Sequence, residues 1–106
     1  MQLLVTEALQ QLPAAILPRL IDIFGNTTPA MIAEIRQHAD TGNLPAMGAA
    51  AHRLKGSCVS LGAEHMANIC KKLQYKGESN DPAGVNDMVE KLEILYPATF
   101  KALKNI

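Results

Sequence analysis

The chain is 106 residues long, 48% apolar, 19% charged and 4% aromatic, with 10 Lys+Arg balancing 10 Asp+Glu. That length suits one domain, residues 1–106, with a core that needs no disulfide or metal staple, and the apolar fraction excludes disorder. Zero formal net charge argues against a nucleic-acid or anionic-membrane partner, because phosphate backbones demand a basic excess. No run of about eighteen apolar residues is present to span a membrane. The start, Met1-Gln2-Leu3-Leu4, lacks the basic and apolar regions of a signal peptide. Cys58 and Cys70 form neither a dense disulfide framework nor a CxxC pair, so a reduced, cytoplasmic module is expected.

Every periodic stretch has the helical period. Thr6 is placed to cap a short first helix, Glu7 to Leu12, and Pro13 to open a second at a tolerated first-turn position. Ile16, Leu17, Leu20, Ile21 and Phe24 lie on one face of that second helix, which Gly25-Asn26 should end. Thr28-Pro29 then restarts the chain as cap and first residue of a third helix, with Ile32, Ile35 and Ala39 inward and Thr41-Gly42 as its stop. Asn43 caps a fourth, running to about Leu61, whose apolar stripe is Met47, Ala50, Ala51, Leu54, Cys58 and Leu61. The fifth spans about Ala63 to Lys76, with Met66, Ile69, Cys70 and Leu73 inward and Gly77 as its C-terminal cap. After the linker from Gly77 to Pro82, Asp81-Pro82 begins the last helix, striped by Val85, Met88, Val89, Leu92, Leu95, Tyr96 and Leu103. Pro97 falls inside it and should kink it near Glu93, whose carbonyl loses its partner. The expected fold is all-α: an antiparallel four-helix bundle with a short additional N-terminal helix or helices.

His52 lies about 200° around the fourth helix from Leu54, roughly opposite the buried stripe. Gly48, Ala49, Lys55 and Gly56 are its neighbours one turn away, and each interior glycine costs a helix about 0.8–1 kcal/mol relative to alanine. An imidazole on so bare a surface suits a partner that must approach it closely, and Gly48, Ala49, Gly56 and Val59 are the expected docking face. A neutral imidazole nitrogen is a nucleophile near pH 7, and Lys55 could pair with an anion attached to it. No general base lies at helical spacing from His52. An acceptor without machinery of its own must receive an already activated group, and a phosphoryl group fits.

The stretch Ala50-Ala51-His52-Arg53-Leu54-Lys55-Gly56-Ser57 followed by Leu61-Gly62-Ala63 resembles the signature of histidine-containing phosphotransfer (HPt) domains. Ile69-Cys70-Lys71-Lys72-Leu73-Gln74, Thr28-Pro29 and Tyr96-Pro97 extend the resemblance over roughly the whole chain. The resemblance implies a phosphorelay intermediate and phosphocarrier, not an enzyme with its own ATP site. Carried over, His52 is the phosphoryl acceptor, Lys55 its charge partner and Gly56 the space for an approaching receiver loop. Gln74 matches a position where the family places Gln or Glu near the histidine. The implied partners are receiver domains, one of a hybrid sensor kinase and one of a response regulator, met by a monomer. In that family the receiver brings the magnesium ion, so no metal and no cofactor is expected here.

His38 and His65 read as ordinary surface histidines, and Cys58 and Cys70 as buried free thiols. Lys71-Lys72 reads as a solvated face that could also steer an acidic partner. The alternative to phosphotransfer is a helical adaptor that docks a signalling partner through the same face without phosphorylation.

Overall fold

Residues three and four apart share a helix face, and that rule decides which side of each helix here is buried. The computed structural model describes residues 2–106, which form five helices and no strand: α1 (Thr6–Gln10), α2 (Leu17–Asp40), α3 (Leu44–Ser60), α4 (Glu64–Glu78) and α5 (Val85–Lys104). The four longer helices form the bundle, with α2 against α3 and α5, and α4 against α3 and α5. Short connections, Thr41 to Asn43 and Leu61 to Ala63, turn the chain back on itself and make neighbours antiparallel. The stripes of α3 and α4 expected from the spacing are all buried. Asn43 caps α3, its side-chain oxygen accepting the Ala46 N–H at 3.4 Å.

The main departure from local expectation is α2, one unbroken helix where two were expected. Gly25-Asn26 does not end it, and Pro29 lies inside it. Proline has no N–H for the carbonyl four residues back, which here is Gly25. The Tyr96 hydroxyl of α5 donates to that Gly25 carbonyl at 3.5 Å, and burial raises the pKa of the Tyr96 phenol. Gly25 is a contact rather than a stop: a Cβ on it would stand 2.6 Å from the Phe100 ring. Phe24, Tyr96 and Phe100 pack in sequence, with ring centroids 5.7 and 5.9 Å apart. Packing against α5 therefore overrides the local signals to stop.

Other boundaries also move. Thr6 is the first residue of α1, and Val5 holds the cap position without a side-chain bond. Pro13 opens a turn, its carbonyl accepting from Ile16 N–H at 3.0 Å, and α2 begins only at Leu17. Ile16 is exposed, whereas Leu17, Leu20 and Ile21 pack against the core and Phe24 is buried. α5 begins at Val85 rather than at Asp81-Pro82. Asp81 instead builds the loop: its carboxylate accepts from Ala83 N–H at 3.0 Å and from Lys76 Nζ at 2.8 Å. Those two donors, the lysine foremost, hold its pKa below the usual carboxylate value. Gly77 is not a cap but an interior residue of α4, buried where that helix crosses α3. The segment before α1 lies across the α3–α4 turn, with Val5 N–H donating to Gly62 O at 2.7 Å and His65 N–H to Gln2 O at 3.1 Å.

Candidate functional site

α3 presents Ala49, His52, Gly56 and Val59 in one exposed row, at the three- and four-residue spacing that keeps side chains on one face. Beside His52, along the α3–α4 seam, opens a shallow groove of about 760 Å³ lined in part by Pro45, Ala49, Gln74 and Glu78. Its floor is the crossing of the two helices. A Cβ on Gly48 would stand 3.0 Å from Gly77 Cα, and one on Gly77 would stand 2.6 Å from Leu44 O and 2.7 Å from Gly48 Cα. Backbone meets backbone there, which brings Gln74 of α4 within reach of α3.

Four side chains then form a connected set. Gln74 Oε1 lies 3.1 Å from His52 Nδ1 and accepts from Lys55 Nζ at 3.0 Å. Gln74 Nε2 donates to Glu78 Oε1 at 2.9 Å. An ammonium can only donate and an ionised carboxylate can only accept. Lys55 on one side and Glu78 on the other therefore orient the Gln74 amide with its oxygen toward His52. Facing an oxygen, Nδ1 is the nitrogen that carries the proton of the neutral ring, which leaves the Nε2 lone pair free.

A family model described as Hpt domain matches residues 19–103. The chain belongs to the Hpt domain family. Hpt domains are phosphocarriers of two-component signalling and interact with receiver domains in phosphorelays. Neither a curated protein nor a solved structure gave a significant match.

In this Hpt domain, His52, Lys55 and Gln74 come together on the α3–α4 seam, and Ala49, Gly56 and Val59 stand exposed on the same row of α3. Gly48 does not belong with them. It is buried against α4, so its missing side chain answers to Gly77 and the Gln74 backbone rather than to a docking partner. Gly56 is the opposite case: a Cβ there would meet nothing within 4 Å among the described residues. Glu78 escaped the sequence reading. Its spacing of four from Gln74 was visible, as was its place in the last turn of α4, where the helix dipole disfavours an acid.

The remaining candidates lie elsewhere. His38 sits in the last turn of α2, with Nε2 3.8 Å from Glu34 Oε1. Cys58 and Cys70 are free and buried, and Cys70's thiol is pushed well above its usual value by its hydrogen bond with Cys58 and by burial. Lys71 lies over the Tyr75 ring, 5.8 Å from its centroid. Among the described residues no group of three or more His, Cys, Asp or Glu is placed to hold a metal, and no helix is long and apolar enough to cross a membrane.

Proposed function

We propose that His52 Nε2 accepts a phosphoryl group from the phosphoaspartate of one receiver domain and passes it to the aspartate of another. The donor belongs to a hybrid sensor kinase and the final acceptor to a response regulator. The Nε2 lone pair attacks phosphorus, the N–P bond forms, and the P–O bond to the aspartyl carboxylate breaks, the carboxylate leaving with the electron pair. Nδ1 keeps its proton throughout, and Gln74 Oε1 accepts the hydrogen bond from the ring as it becomes more positive. Lys55, flexible and one turn away, moves from Gln74 to the phosphoryl oxygens, whose charge is about −2 at pH 7. Transfer to the second receiver reverses these steps. Ala49, Gly56 and Val59 leave the approach to His52 unobstructed, and Val59, at 61% exposure, offers an apolar contact. All of these groups come from one chain, so a monomer suffices.

The observation that carries this reading is the hydrogen bond at Nδ1, which leaves Nε2 as the free nucleophile on an exposed surface. The test is transfer of label from phosphorylated receivers to the domain and to a His52→Gln variant. The parent should gain acid-labile, alkali-stable label. The variant should gain none, and its stability should change by less than about 0.5 kcal/mol, as for most surface substitutions. Label persisting on the variant would move the acceptor to His38 or His65. Binding of receivers without any label on the parent would favour the adaptor reading.

A further inference from the structure

We infer that Glu78 is a positioning residue for His52, acting through the Gln74 amide. The inference rests on the phosphoacceptor reading above. In the unphosphorylated domain the amide is held at both ends, by Lys55 at its oxygen and by Glu78 at its nitrogen. In the proposed transfer Lys55 leaves that bond to neutralise a phosphoryl group on Nε2. Once Lys55 leaves, an unheld amide can turn over and present its NH₂ to Nδ1. If the amide stayed turned after the phosphoryl group had been passed on, Nδ1 would have to accept, the ring proton would settle on Nε2, and the nucleophile needed for the next cycle would be blocked. Glu78, acceptor-only and 2.9 Å from Gln74 Nε2, keeps the oxygen facing His52 while Lys55 is away.

The position of Glu78 supports this role. A carboxylate in the last turn of α4 faces the negative end of the helix dipole and works against the helix. Its side chain lines the groove beside His52 rather than the core. A helix built for stability alone would carry a cation there.

The experiment reads the His52 tautomer by ¹⁵N NMR of the ring nitrogens in the unphosphorylated full chain, at a pH where imidazoles are neutral. Lys55→Ala imitates the moment when the lysine has left. With Glu78 intact, Lys55→Ala should keep the Nδ1–H form. Lys55→Ala with Glu78→Ala should lower the ratio of Nδ1–H to Nε2–H by roughly two- to tenfold, the weight of one solvent-exposed hydrogen bond. Lys55→Ala with Glu78→Lys puts a donor-only group at the far end of the amide, and should invert the tautomer to Nε2–H. Both changes at Glu78 relieve the clash with the dipole, so thermal melts should show no loss of fold. A merely structural role for Glu78 would produce no inversion. An unchanged ratio in both double variants would overturn the inference. That outcome is separate from failure of the acceptor reading, which the label on His52→Gln decides without reference to tautomers.

Discussion

At the scale of single residues, three glycines on the α3–α4 face do different work. Gly56 meets no neighbour, so nothing in the fold requires it, and Gly56→Ala should raise stability by about 0.5–1 kcal/mol through helix propensity. In a domain of this size that amounts to roughly 2–5 °C in Tm. The same variant should transfer phosphoryl more slowly, because a methyl group stands on the face that the receiver approaches. Gly77→Ala should do the reverse and destabilise by about 1–3 kcal/mol, since the added methyl presses on backbone that cannot rotate away. Thermal unfolding of the pair, with opposite signs expected, checks both. His52, Lys55 and Gly56 were legible in the sequence because motif and spacing put them on the outward face. The burial of Gly48 was not. A helix glycine announces a close approach without saying whether a partner or a neighbouring helix makes it.

Among the elements, α2 shows where local signals lose. Gly25-Asn26 and Thr28-Pro29 are adequate stop and start signals by themselves, yet Tyr96 and Phe100, more than seventy positions beyond Gly25, make the continuous helix the better packed form. Neither the Tyr96 bond to Gly25 O nor the fit of Phe100 has a signature in the residues around Gly25. Asn43 at the start of α3 was legible for the opposite reason, since cap and helix lie within four residues. Pro29 is exposed and still costs α2 a backbone hydrogen bond. Pro29→Ala should therefore raise stability by about 1–3 kcal/mol, read as a higher denaturant midpoint with unchanged helical circular dichroism. A lower midpoint would mean that the proline ring itself supports α2.

For the whole molecule, the order of the principal helices and most of the core followed from apolar periodicity alone. What ties the bundle together at its surface did not, because ion pairs between distant helices leave no local pattern. Arg36 of α2 grips Glu93 of α5 through both carboxylate oxygens, at 2.7 and 3.2 Å, and reaches Asn86 Oδ1 at 2.7 Å and Asp40 Oδ1 at 3.2 Å. The hydrogen bond from Arg36 holds the Glu93 carboxyl below its usual value of 4.5 and raises the guanidinium above its own. A depressed carboxyl contributes stability that is fully present above the unfolded-state value and lost as pH falls through the folded-state value. Glu93→Gln should therefore cost about 1 kcal/mol at neutral pH, the upper range for a solvent-exposed pair. The gap between parent and variant should begin to close as pH drops past about 4.5 and vanish below the depressed value. Urea denaturation of both proteins across that range checks the sign. A gap that widens with acid would remove Glu93 from the linkage.

The Gly48–Gly77 crossing also acts as a mechanical gauge. Two peptide backbones in contact set how far apart α3 and α4 stand, and no rotamer can absorb a change in that spacing. A methyl group on Gly77 sits 2.7 Å from Gly48 Cα where ordinary contacts begin at 3.4 Å, so the helices must part by roughly 0.7 Å. Spread across the seam, that displacement carries the 3.1 Å separation of His52 Nδ1 and Gln74 Oε1 beyond hydrogen-bonding range. The imidazole would then be free to place its proton on either nitrogen. One carbon atom added beneath the groove would thus detune the reactive nitrogen without touching it, and the defect would show as scatter in which nitrogen is protonated before it showed as unfolding.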